Sequence, residues 1–192
     1  MFSGSISILE YYARQKLQQQ EDQKYINQRR RKTSLSSLSS GTSQTTAVSQ
    51  LAIASRASRV DWAMHLLERF EILDGIFAID LFDYIVIQSG TKRKHIQQIQ
   101  HEATLSSQHT NCDIKYSDML FFDDARSLNL ESVSQMGVLC CHCPKGLKNV
   151  DLFLASMDEY NRLKQEKVDV DSDGDSPWMG YILDEYSLGL TY

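Results

Sequence analysis

The chain predicts an α/β fold, a parallel sheet covered by helices, and two observations point to it. Short apolar runs at Leu51–Ala54 and Met119–Phe122 read as strands buried on both faces, the pattern of parallel sheets. Between and after them lie segments with apolar residues at helical spacing, so strand and helix alternate along the chain. At 192 residues there is enough chain for one domain with a sizeable core and not clearly enough for two.

The elements follow in order. Ser7 to Arg31 reads as a polar helix with Ile8, Leu9, Tyr12, Leu17 and Tyr25 as its apolar members, within a segment 1–32 that ends in a basic run. Residues 33–49 fall to Ser, Thr, Gly and Gln, which bury too little surface to offset their ordering entropy, so a disordered insert or linker is expected there. A core over 50–165 then begins. After the first strand, Val60 to Phe70 places Ala63, Leu66, Leu67 and Phe70 on one helical face. Ile76 to Ile87, rich in β-branched and aromatic residues, reads as a strand, and Lys92 to Glu102 as a helix. The Met119–Phe122 strand ends at Asp123-Asp124. Leu128 to Met136 reads as a short amphipathic helix stopped by Gly137, Val138 to Cys141 as another strand, and Val150 to Leu163 as a closing helix. Residues 166–192 read as an acidic tail. No internal repeat is present.

Charge and composition exclude several classes. A net charge of −5 argues against a nucleic-acid binder, which needs a basic surface. The charge is uneven: seven basic and three acidic residues up to Ala54 give +4, which leaves −9 for the remainder. No apolar run approaches the roughly 20 residues of a membrane span, and Met1 to Glu10 lacks the pattern of a secretory signal. Four cysteines do not suggest a disulfide framework, so a reducing, cytoplasmic location is expected.

Three polar groups fall at the carboxy ends of the predicted strands: Ser55-Arg56, Gly90-Thr91-Lys92 and Asp123-Asp124. Ligands of open α/β sheets bind at that edge, so the three could share one crevice. A hydroxyl and a lysine hold phosphoryl oxygens, and paired carboxylates bind a hard cation through oxygen. Each group also has a bland reading. Ser55-Arg56 is a turn, Lys92 a solvated charge, and Asp123-Asp124 a helix cap in a favourable dipole.

Order and spacing tip the balance. Leu51-Ala-Ile-Ala-Ser-Arg56, Gly90-Thr-Lys-Arg-Lys-His95, Met119-Leu-Phe-Phe-Asp-Asp124 and Glu131-Ser-Val-Ser-Gln-Met-Gly-Val138 together resemble the magnesium-dependent phosphatase-1 family, a cap-poor branch of the haloacid dehalogenase (HAD-like) superfamily. The resemblance covers roughly Leu51 to Gly146. It implies a Rossmannoid three-layer sandwich and phosphomonoester hydrolysis on a small phosphorylated substrate or a phosphotyrosine-like ester. By the same resemblance, Ser55 and Arg56 would bind the phosphoryl group, Lys92 would pair with nucleophile and phosphate, and Asp123 and Asp124 would hold Mg²⁺. An aspartate nucleophile in an Asp-x-Asp motif should precede Ser55, yet the only aspartate there is Asp22. The fold is therefore expected to be incomplete at its amino-terminal side, without its central strand, and the chain inactive as it stands. A non-catalytic relative that binds a partner or phosphate is the alternative, and the oligomeric state is not legible. Ala125, following the acidic pair, departs from the family pattern, and the loop after it is one residue longer.

Other motifs weaken on inspection. Asp169 to Gly174 imitates the start of an EF-hand loop, but its twelfth position is Gly180 and Pro177 falls within it. Cys140, Cys141, His142 and Cys143 suggest zinc, but neighbours on a strand point to opposite faces, so buried thiols fit better. Arg29 to Ser34 reads as a solvated basic run, with a kinase target as the alternative.

Overall fold

The computed structural model describes residues 3–32, 49–107, 113–148, 150–167 and 178–190. The 33–49 segment, apart from Ser49, and the acidic run at 169–174 lie outside the described residues. The mixed helix and strand order and the parallel pairing agree with the Rossmann-like α/β class.

Helix α1 (Ser3–Lys32) precedes strand β1 (Ala52–Ser55), which pairs in parallel with β4 (Tyr84–Ile87), Ile53 opposite Ile85 and Ser55 opposite Ile87. A second parallel piece is formed by β5 (Leu120–Asp123), β6 (Leu139–His142) and β7 (Ile182–Leu183), in that order. Among the described residues no backbone ladder joins β1 to β5, so the parallel sheet stands in two pieces. The edge position is visible in burial. Apolar β1 and β5 contain no buried residue, whereas β6 is buried at Leu139, Cys140 and Cys141. One core nevertheless spans both pieces: Ile96, Ile99 and Ala103 of α4 (Lys92–Ser106) pack with Ala54, Val86, Phe121 and Cys140.

Three readings need correction. The run Ile76–Ile87 is not one strand. Asp74-Gly75, with Gly75 at φ 74°, turns β2 (Glu71–Leu73) back onto β3 (Ile76–Phe77) as an antiparallel hairpin. Asp80 then accepts the Phe77 N–H at 3.0 Å and caps the single-turn helix α3 (Ala78–Leu81) before β4 begins. Acidic side chains inside the apolar run thus cut it by capping. Second, helix α2 (Val60–Arg69) turns Leu66 outward, 60% exposed, beside the exposed Trp62, and packs through Leu67 with Phe70 after it. Third, the stretch given to an acidic tail returns to the sheet: α6 (Val150–Lys167) leads on to Trp178, which is buried, and to β7.

The predicted helix 128–136 starts earlier and differently. A π turn over Arg126–Leu130, closed by the Leu130 N–H on the Ala125 carbonyl at 3.3 Å, runs into α5 (Glu131–Ser134). Gly137, at φ 85°, ends it. The buried end of α1 carries Ile8 and Tyr12 against Phe153 of α6 and Phe122 of β5, and Lys16 anchors to Asp83 at 3.0 Å.

Candidate phosphoryl and cation site

Strand β1 ends at Ser55, β4 leads through Gly90 to Lys92 at the start of α4, and β5 ends at Asp123. Gly90 has φ 136°, a conformation that L side chains rarely adopt, and it lets the chain turn sharply from strand to helix. The Thr91 hydroxyl then caps α4 by accepting the Lys94 N–H at 3.4 Å. This cap fixes the first turn of the helix, and with it the root of Lys92.

Lys92 spans the space between the two sheet pieces. Its Nζ donates to the Ala54 carbonyl on the free edge of β1 and lies 3.3 Å from Asp123 Oδ2 at the tip of β5. Both side chains are nearly buried, 10% and 7% exposed. Lys92 Nζ also lies 5.7 Å from the centre of the Phe121 ring. Asp123 is held from its other side: Oδ1 accepts the Ala125 N–H at 2.9 Å and the Asn129 amide at 2.7 Å. One oxygen is therefore fixed by the chain's own donors and the other faces the lysine.

Ser55 follows the Ala54 carbonyl that Lys92 grips, and its hydroxyl accepts the Ala57 N–H at 3.2 Å. Ser55, Lys92 and Asp123 are thus brought to one place. Asp124 is exposed, and its backbone carbonyl meets His142 Nε2 at 3.2 Å. It lines a cavity of about 630 Å³ together with Ser5, Phe122, Asp123 and the loop Cys143–Lys148. Arg56 lies close enough for its charge to act, with that of Lys92, on the buried His95. Arg56 is exposed, and among the described residues no hydrogen bond or ion pair ties it to Lys92 or Asp123.

A hexacoordinate Mg²⁺ commonly takes one or two carboxylates and completes its shell with water and phosphate oxygens. The adjacent Asp123 and Asp124 match that donor set in chemistry. No group of three or more His, Cys, Asp or Glu side chains arranged to hold a metal ion occurs among the described residues.

The cysteine run separates as strand geometry requires. Cys140 belongs to the core beneath α4, while Cys141 and Cys143 belong to the opposite core beneath Trp178. Burial, followed by the neighbouring Cys141 and Asp123, pushes the Cys140 thiol up to about 12. The Cys143 thiol is also raised, by its hydrogen bond with Cys141 and then by burial. Cys140 and Cys143 are therefore protonated core thiols. Asn129 escaped the sequence reading, which took 128–136 as a simple amphipathic helix. An asparagine flanked by Leu128 and Leu130, six residues after Asp123, was the available signal.

No helix among the described residues is long and apolar enough to cross a membrane. No curated protein and no solved structure matches the chain. The family model described as Acid Phosphatase, a HAD-like phosphatase family, matches residues 10–162, a span that runs from α1 through the β1, Lys92 and Asp123 positions into α6. With that match covering most of its length, the chain belongs to the acid phosphatase family.

Proposed function

We propose that this chain carries the phosphate-binding and cation-binding half of a magnesium-dependent phosphomonoesterase of the magnesium-dependent phosphatase-1 type. One observation carries the reading: Lys92 Nζ joins the end of β1, next to Ser55, to Asp123 Oδ2 at 3.3 Å. In this reading the Ser55 hydroxyl and the Lys92 ammonium take the phosphoryl oxygens, and Asp123 and Asp124 hold Mg²⁺. The cation supplies charge neutralisation for the transferring group. Asn129 and the Ala125 N–H keep Asp123 oriented while Lys92 turns from the carboxylate to the phosphate. A reducing, cytoplasmic setting fits the free thiols Cys140, Cys141 and Cys143.

The same reading makes these 192 residues a binder that does not turn over. Among the given residues no Asp-x-Asp precedes Ser55, so the nucleophile that the resemblance calls for is not one of them. The unjoined edges of β1 and β5 fit that reading, because the resemblance puts the strand bearing the nucleophile between them. The test has two arms. Hydrolysis of para-nitrophenyl phosphate is expected to be absent with and without Mg²⁺; Mg²⁺-dependent turnover well above a Lys92→Ala control overturns the inactive reading. Inorganic phosphate with Mg²⁺ is expected to raise the unfolding temperature, by about 2.7 kcal/mol of stabilisation at a hundredfold excess over Kd. The Ser55→Ala and Lys92→Ala variants should lose that rise, and an equal rise in both would refute the site.

A further inference from the structure

The cavity of about 630 Å³ meets the site at Asp123 and extends away from Lys92 along the β6–α6 loop, whose residues Cys143 to Lys148 form one wall. It is a shallow concavity open to solvent, so a small molecule lying in it stays exposed on one side. We infer that this cavity receives the organic part of a bound phosphomonoester and that Lys145 favours esters whose organic part bears a second anion, a carboxylate or another phosphate. The inference rests on the phosphoryl and cation reading of the adjoining site and names its substrate class.

Loop geometry and charge carry the argument. The Gly146 N–H closes a tight turn on the Cys143 carbonyl at 2.8 Å, with Pro144 and Lys145 as its central residues. Pro144 restricts φ in the first half of that turn, and Gly146, at φ 70°, takes a conformation that other residues rarely adopt. The Lys148 N–H returns to the Gly146 carbonyl at 2.8 Å, and the Ser5 hydroxyl of α1 donates to the Leu147 carbonyl at 3.0 Å. The loop is therefore pinned at both ends, which lowers the cost of presenting Lys145.

Lys145 and Lys148 are both exposed on the cavity wall, and among the described residues Lys145 forms no ion pair. The other charged lining groups are Asp123 and Asp124, which repel an anion unless a cation covers them. A second anion on the ligand thus finds its attraction at Lys145. Phe122 adds an apolar patch to the cavity wall.

The experiment compares two ligands that differ by one carboxylate. Phenyl phosphate and 4-carboxyphenyl phosphate are titrated calorimetrically into the full chain in Mg²⁺ buffer at low salt. The carboxylated ester should bind about fivefold more tightly, the size of one well-placed exposed ion pair, and the margin should shrink as salt rises. In Lys145→Gln, with Lys145→Gln/Lys148→Gln as the stronger variant, the two ligands should bind alike while phenyl phosphate keeps its wild-type affinity. Both positions are on the surface, and an unchanged unfolding temperature checks that the variants fold. Equal binding of the two esters to wild type overturns the inference and leaves the phosphoryl reading intact. A preference that survives the double variant also overturns it. If neither ester binds wild type, the phosphoryl site itself fails and the inference falls with it.

Discussion

Asp123 is fixed from two directions. Ala125 and Asn129 donate to one oxygen and Lys92 faces the other, so the carboxylate neither rotates freely nor stays unpaired in a nearly buried position. Replacing Asn129 by alanine removes a hydrogen bond to a charged acceptor, which is worth about 1.5–3 kcal/mol. Urea unfolding should show a loss of that order, and a change below about 0.5 kcal/mol would mean that the amide does not hold the carboxylate. Ser55, Lys92 and Asp123 were legible from order alone, because each follows an apolar strand and such strands align their carboxy ends. Asn129 was not, because its approach to Asp123 depends on the π turn that widens the backbone after Ala125. Arg56, adjacent to Ser55 in sequence, is exposed and makes no hydrogen bond or ion pair with Lys92 or Asp123 among the described residues.

At the scale of elements, α6 is the hinge between α1 and the sheet. Phe153 lies 5.7 Å from Phe122 of β5 and 6.1 Å from Tyr12 of α1, measured between ring centres, and is 6% exposed. A Phe153→Ala change opens a cavity among these rings and should cost about 3–5 kcal/mol in chemical denaturation. Limited proteolysis should then cut within α1 faster than in wild type. Cleavage unchanged in α1 would show that the helix is held elsewhere, at Lys16 and Asp83. Helices α1, α2, α4 and α6 were readable from their length and composition, and α2 also from apolar residues at helical spacing. The hairpin β2–β3 was not, although Asp74-Gly75 signalled it, because the apolar run around the turn outweighed a two-residue cue. Likewise the pairing of β7 with β6 joins Ile182 to Cys140, some forty residues back, and a two-residue strand carries no periodicity of its own.

Across the whole molecule, α4 contributes three buried side chains to one core shared with both sheet pieces, so its stability and that of the fold should move together. His95 sits within it, fully buried, with no well-formed hydrogen bond at either ring nitrogen. Burial holds its pKa below the ordinary value, and the nearby Lys92 and Arg56 charges push the same way. The neutral ring is therefore the native form. The unfolded chain binds the proton more readily, so the contribution of His95 is complete above about pH 6.5 and is lost as pH falls below it. Unfolding free energies between pH 5 and 7 should decline on the acid side, and a His95→Leu variant should flatten that slope. An unchanged slope would show that His95 does not set the acid sensitivity in this window; Asp184 acts only at lower pH. Its pKa is lowered chiefly by the Ser187 N–H, and its contribution fades only in the carboxylate range.

The sequence alone determined the α/β class, the alternation of strands and helices, and the three polar groups at the strand ends, because periodicity and strand-end position are local properties. Tertiary structure decided the rest: the division of the parallel sheet between β1 and β5, the return of the chain at Trp178 to β7, the clamp of Asn129 on Asp123, and the cavity beside the Cys143–Lys148 loop. Each of these depends on contacts between residues far apart in the chain or on a local departure from helical spacing, and neither leaves a periodic trace in the order of amino acids.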